Sequence, residues 1–326
     1  MSLCIAFLEN KLTLRGTTVA LYDYADNNEK ILKNKSVIIT RKYEDVKDEQ
    51  DANQNIYSKF TNRFPVIYYN TPEELDKIVA YYSIDILYII KAGKKDDKLY
   101  TEKCKTIIHC VFETDDPHGT YYCGISEWLN IRNKTNVPLL HHMISVHQST
   151  ENLRIRLGIP DGSLVFGTYG GSDEMESYVK NTIIQIATDP ASKHIYFIFM
   201  NIVPFVNSKN VLFFQGEYDM KTKREFINTC DAMIYTRIWG ETFGLACGEF
   251  SICNKPIICY KHPKDKFHIL TLEENAFLHE TPGELKNILL NFDKLNKDIS
   301  NNNYKRYTPE LVINEFKDIL SKLTSL

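Results

Sequence analysis

Short, mainly apolar runs recur along this chain, each pair separated by enough residues for one amphipathic helix, and this alternation most limits the possible folds. Residues 3–8 (LCIAFL), 35–40 (KSVIIT), 64–69 (FPVIYY), 84–90 (IDILYII) and 106–112 (TIIHCVF) are strand-sized, and 139–145 (LLHHMIS) follows as a sixth candidate. Runs apolar on both faces suit parallel strands covered on both sides. Residues 17–32 have helical spacing, with Val19, Tyr22 and Ile31 among the apolar positions. At 71–74, Thr71 stands as N-cap, Pro72 at the first helical position and Glu74 as the closing acid of a capping box. Residues 41–55 are polar and acidic, a surface excursion, and 126–129 begin a further helix.

The alternation then restarts. Strands are expected at 164–168, 194–200, 211–214, 232–235 and 256–260, with helices at 151–157, 174–187, 221–230, 243–252, 282–290 and 309–323. Thr281, Pro282 and Glu284 repeat the earlier entry signal, and 291–302 is a polar surface connection. The implied class is α/β, with two Rossmann-like doubly wound parallel-sheet domains, 1–147 and 148–305. The boundary near 145–150 has no Gly/Pro linker. In such sheets ligands bind at the carboxyl ends of strands, where helix N-termini point their amides outward.

Composition narrows the function. Of 326 residues, 43% are hydrophobic and 25% charged, enough for real cores. Lys and Arg number 39 against 42 Asp and Glu, and this balance argues against nucleic acid as a partner. No apolar run approaches the ~20 residues of a membrane helix. The N-terminal MSLCIAFLEN reaches Glu9 and Asn10 too soon for a signal peptide. A soluble, cytoplasmic protein without a transmembrane segment is expected. The eight cysteines include no CxxC pair and suit reduced, buried thiols. The nine histidines are scattered, and neither a metal nor another cofactor is expected.

The strongest local signal is Arg237-Ile-Trp-Gly-Glu241-Thr242-Phe243-Gly244-Leu245-Ala-Cys-Gly-Glu249. It follows the strand at 232–235 and opens the helix at 243–252. The amides of 242–245 then belong to the first turn, where donors lack partners and the dipole favours an anion. Gly244 has no side chain to block approach, so a diphosphate is the natural guest. Carboxylates would repel phosphates and suit hydroxyls: Glu249 a ribose diol, Glu241 a second sugar. The Arg237 guanidinium matches phosphate oxygens. The combination describes a nucleotide-sugar site.

These residues resemble the signature of retaining GT-B glycosyltransferases, specifically glycosyltransferase family 4. The matching element is Glu241-Thr-Phe-Gly-Leu-Ala-Cys-Gly-Glu249, continued by Asn254-Lys-Pro-Ile-Ile and preceded by Phe226-Ile-Asn-Thr-Cys-Asp-Ala-Met-Ile. The resemblance implies a GT-B fold, its two domains facing a central cleft and its C-terminal helix, about 306–326, crossing back to the N-terminal, acceptor-side domain. The second domain would then hold the donor. It further implies that Glu249 holds the ribose, that Glu241 contacts the donor sugar, and that Phe243, Gly244 and Leu245 cover sugar and diphosphate with main-chain amides. Gly170 and Gly171 match the glycine turn facing the diphosphate. Arg15, Gly16 and Thr17 resemble the N-terminal loop that approaches the donor phosphate and the acceptor. His118, in a loop at a strand's carboxyl end, corresponds to a histidine touching the donor sugar. His109, inside an apolar run, is a hydrogen-bonded core residue, and Asp115-Asp116 are loop polars. The chain departs from the family at 168–174, where a basic pair is usual and Thr168, Tyr169, Ser172, Asp173 and Glu174 stand instead; Arg237 is the substitute.

The activity implied is retaining, metal-independent transfer of a sugar from a GDP- or UDP-linked donor to a hydroxyl of a glycan or other acceptor. Helix amides and Arg237 stabilise the departing diphosphate, which accepts the acceptor's proton on the same face. Two alternatives stand beside it: a non-catalytic GT-B module that binds a nucleotide-sugar, and a nucleotide-sugar epimerase on the same fold.

Overall fold

The computed structural model describes residues 2–48, 52–95, 99–170, 175–295 and 302–325. The chain forms two compact units, one of Met1–Met143 with Arg306–Leu326, the other of Ile144–Lys305. Among the described residues no helix is long and apolar enough to cross a membrane.

In the first unit the elements follow as β1 (Cys4–Leu8), α1 (Gly16–Lys30), β2 (Lys35–Thr40), α2 (Tyr43–Val46), α3 (Gln54–Thr61), β3 (Val66–Tyr68), α4 (Leu75–Tyr81), β4 (Ile86–Lys91), β5 (Lys105–Cys110), β6 (Tyr121–Gly124) and α5 (Glu127–Asn133). The six strands are parallel in the order β3-β2-β1-β4-β5-β6. The order reverses between β1 and β4, which makes the carboxyl end of β1 the switch point where such sheets take ligands. One face buries Leu8, Ile39, Leu87, Ile89 and Ile108.

Several sequence expectations change here. The segment 139–145 is not a strand: it contributes a single bridge, Leu139 to Gly124, and the sixth strand is Tyr121–Gly124. The acidic excursion, 41–55, contains α2 and the start of α3. Thr71 makes no side-chain cap; Pro72–Glu74 is a 3₁₀ turn, and the Glu74 carboxylate accepts from the Asn70 amide at 2.9 Å.

The second unit contains β7 (Leu164–Tyr169), α6 (Ser177–Thr188), β8 (Ile195–Met200), β9 (Val211–Phe214), α7 (Met220–Thr229), β10 (Ala232–Tyr235), β11 (Gly240–Glu241), α8 (Leu245–Ile252), β12 (Ile257–Tyr260), β13 (Asp265–Lys266), α9 (Phe267–Leu272), β14 (Ala276–His279), α10 (Pro282–Leu290) and α11 (Phe292–Leu295). Its parallel sheet runs β14-β12-β10-β7-β8-β9, so the reversal falls between β7 and β10, and β11 and β13 form a separate two-stranded ribbon. Phe166, Phe197, Phe199, Ile183, Ile234 and Leu289 lie in its core. Residues 151–157, expected as a helix, form turns held by the Arg154 guanidinium, which donates to the carbonyls of Thr229 and Ser163 and to Asp231. At α10 the Glu284 amide donates to Thr281 Oγ1 at 3.2 Å, while the Glu284 carboxylate takes the Glu280 amide at 2.7 Å.

The last helix, α12 (Pro309–Ser325), belongs to the first unit. Its Phe316 ring packs against Phe7, Tyr24 and Tyr88, filling the sheet face beside α1.

Candidate functional site

The switch point of the second unit's sheet gathers most of the marked residues. The chain leaves β10 at Tyr235, passes Arg237, pairs briefly as β11 and enters α8 through Gly244. Gly244 has φ +87°, a conformation that disfavours any side chain, and a Cβ there would lie 3.3 Å from both His268 Cβ and the Tyr304 hydroxyl oxygen. The helix starts two residues later than the spacing predicts, at Leu245, so its first-turn amides are those of Leu245, Ala246 and Cys247. Thr242 and Phe243 precede it. The Phe243 ring is core, stacked on Phe267 at 5.1 Å, and its carbonyl accepts from the Tyr304 hydroxyl at 2.8 Å. Gly248 is fixed by packing: a Cβ would come within 2.5 Å of Ile144.

Glu241 and Arg237 are coupled. Arg237 Nη1 donates to Glu241 Oε1 at 2.9 Å, and the Tyr235 hydroxyl donates to the same oxygen. Both charged side chains remain about one quarter exposed. Arg237 thus shares its charge with Glu241 through Nη1. Burial, reinforced by the Glu241 charge, pushes the Tyr235 phenol far up, so it stays a donor. His268, on α9, stacks edge-on against Tyr235 at 5.4 Å. Burial, with the nearby Arg237 charge, lowers it to about 3; it is neutral, and its Nδ1 has no hydrogen-bond partner. Nothing in the sequence marked His268.

Glu249 lies in the second turn of α8 and is only 4% exposed. Lys223 Nζ, from α7, donates to its Oε1 at 2.9 Å, and the Tyr169 hydroxyl donates to Oε2. The Lys223 ammonium also sits 4.9 Å from the centre of the Tyr169 ring. Tyr169 ends β7, so a base does stand at the strand end where the sequence showed none nearby. It arrives from a distant helix. The available signal was a lysine sharing the buried face of α7 with Phe226 and Ile227. Gly170 follows Tyr169 with open space where a Cβ would be, and its carbonyl accepts from Asn201 Nδ2 at 2.8 Å. Gly171, with Ser172, Asp173 and Glu174, lies outside the described residues.

In the first unit, Arg15 is the N-cap residue of α1, with its amide donating to Thr13 Oγ1 at 3.1 Å, and Gly16 and Thr17 begin the helix. The Thr17 and Thr18 hydroxyls both donate to Glu9, which follows β1 at the carboxyl end of the strand. Burial raises the Glu9 carboxyl to about 7, against the pull of the two threonine hydroxyls. His118 is not gathered with these residues. The chain after β5 returns along the sheet to begin β6 in parallel, and the Thr120 amide bonds the Thr106 carbonyl near the amino end of β5. Within that return segment His118 is buried against Tyr100 and Tyr122, with Nδ1 held by the Asp116 carbonyl at 2.7 Å. Its expected place at the strand's carboxyl end is thus corrected. His109 is buried between the Tyr88 hydroxyl and the Leu140 carbonyl, and burial lowers it to about 3. Asp115 and Asp116 take the Lys94 ammonium at 2.7 Å and the Lys95 amide at 2.9 Å. Among the described residues no three His, Cys, Asp or Glu side chains converge as a metal-ligand set.

No protein-family model and no curated protein matches the chain. Solved structures do. HepE of Anabaena, crystallised with UDP-glucose, aligns with a TM-score of 0.73 over 98% of this chain and 99% of its own, at 14% identity. The fold is GT-B. A glycosyltransferase from Rickettsia africae aligns with a TM-score of 0.68 over 99% of each chain at 13% identity. A putative UDP-N-acetylglucosamine 2-epimerase from Listeria monocytogenes aligns with a TM-score of 0.65 over 100% of this chain and 98% of its own, at 10% identity.

Proposed function

We propose that the protein is a glycosyltransferase that takes its sugar from a nucleoside diphosphate, UDP- or GDP-linked, and passes it with retention of configuration to a hydroxyl of a glycan acceptor. One observation carries this reading: the left-handed Gly244 opens α8 at the sheet's switch point, with the Arg237–Glu241 couple before it and Glu249 behind. A helix terminus at such a point suits a diphosphate, and the flanking acids suit sugar hydroxyls. HepE, which binds UDP-glucose, shares the fold. The family-4 signature supports retention.

In this reading the amides of Leu245 and Ala246 receive the charge that grows on the leaving diphosphate. Glu241 orients the transferred sugar while Arg237 balances the acid. Glu249 holds the ribose. Residues 148–305 form the donor domain; residues 1–147 with 306–326 serve the acceptor, which approaches the turn at Arg15, Gly16 and Thr17. No metal takes part. The test is incubation with UDP- and GDP-sugars and a mixture of glycan acceptors. Release of nucleoside diphosphate that depends on acceptor, with an α-linked product from an α-linked donor by NMR, is the expected result. A stable donor in every mixture would contradict it.

The shared fold of the Listeria protein favours a second reading, epimerisation of a nucleotide-sugar. It predicts a changed donor sugar without any acceptor, which the same NMR spectra would show.

A further inference from the structure

The buried cluster of Tyr169, Lys223 and Glu249 joins three elements, β7, α7 and α8, and each of its members is at least nine-tenths buried. Packing alone gives little reason for it. A buried ion pair contributes about as much stability as an apolar pair of similar volume, so apolar residues at both 223 and 249, beside Phe226 and Ile227, would serve the core as well, whereas replacing Lys223 alone leaves the Glu249 charge buried and uncompensated. What the cluster does is fix a carboxylate. Oε1 accepts one bond from the ammonium and Oε2 one from the phenol, which leaves each oxygen a second lone-pair direction. Two adjacent acceptor sites on one rigid carboxylate match a vicinal diol. Burial and the Glu249 charge hold the Tyr169 phenol far above its ordinary range, so it stays protonated and donates to Oε2. The ammonium, 4.9 Å above the Tyr169 ring, ties the two donors together.

We infer that Lys223 and Tyr169 are positioning residues that aim Glu249 at the ribose diol and thereby set the protein's preference for ribonucleotides over 2′-deoxyribonucleotides. The inference rests on the nucleotide-sugar reading above and adds to it the source of sugar discrimination on the nucleoside side.

The test is calorimetric titration of the full chain with UDP, GDP and their 2′-deoxy forms, for the natural protein and for Lys223→Met, Lys223→Arg and Tyr169→Phe. The natural protein is expected to bind the ribo form of its nucleotide about tenfold or more tightly than the deoxy form, the effect of one hydrogen bond to a charged group. In Lys223→Met the ratio falls to within about threefold, Tyr169→Phe is intermediate, and Lys223→Arg restores much of it. A purely structural role would weaken both forms alike and keep the ratio; that result, or equal affinities in the natural protein, overturns the inference. If Lys223→Met does not unfold cooperatively, Tyr169→Phe, which lacks only a hydroxyl, decides by the same ratio. A natural protein that binds neither nucleotide contradicts the nucleotide-sugar reading itself, an outcome distinct from an unchanged ratio.

Discussion

Gly244 carries more of this account than any charged residue, because a left-handed backbone brings the chain into α8. Gly244→Ala is expected to cost about 1–2 kcal/mol from backbone conformation alone, lowering the melting temperature by several degrees. The added methyl would press on His268 and Tyr304, so nucleotide affinity should fall as well. Glu241→Gln keeps the volume and removes the charge facing Arg237. Transfer should drop on the order of 10²-fold with little change in melting temperature, as measured by nucleoside diphosphate release. An unaltered rate would take Glu241 out of the reaction. Glu9 predicts a pH effect. Its carboxyl is raised from 4.5 to about 7 in the folded chain, so its contribution to stability is present below pH 4.5 and is lost as the pH rises through 7. Chemical denaturation from pH 4 to 8 should show that slope, and Glu9→Gln should flatten it.

At the scale of elements, α8 and α12 depend on different devices. Helix α8 packs so closely at Gly248 that Gly248→Val is expected to destabilise by about 1–3 kcal/mol, read from urea midpoints. Helix α12 is tied to the first unit by His141, whose Nδ1 faces Glu315 at 3.0 Å and whose Nε2 faces Glu127 at 3.4 Å. Burial opposes the charge on that ring, and the two carboxylates outweigh it, raising it from 6.5 to about 9. A raised base stabilises fully below its unfolded value, so this contribution, about 1–2 kcal/mol after allowing for the exposed acids, is complete below pH 6.5 and lost through pH 9. Glu315→Gln should remove much of that dependence. The α12 pattern was legible from apolar spacing, as were β2, β9, β10 and α10, whose bounds match those expected. What misled was chain direction and pairing. Leu140, Met143 and Ile144 are buried without joining the sheet, whose sixth place goes to Tyr121–Gly124. His118 looked like a strand-end loop residue because local sequence does not say that the segment turns back along the sheet. Strand β14 was missed because its pairing with β12 is decided far from its own sequence.

At the scale of the whole molecule, two units repeat one strand order, and each puts a helix N-terminus after the first strand of its reversal. That repetition was readable from alternating runs, and the 237–249 motif from its residue types. The partners of the motif were not. Lys223 and Tyr169 reach Glu249 across 26 and 80 residues, and Arg237 finds Glu241, because folding places them together. The central claim is that a nucleoside-diphosphate sugar lies against the first turn of α8. A crystal structure of the protein with UDP-glucose or a GDP-hexose tests it most directly. Diphosphate oxygens within hydrogen-bond distance of the Leu245 and Ala246 amides, with ribose hydroxyls on Glu249, are the predicted result. A nucleotide bound elsewhere, or none bound at saturating concentration, would contradict the account.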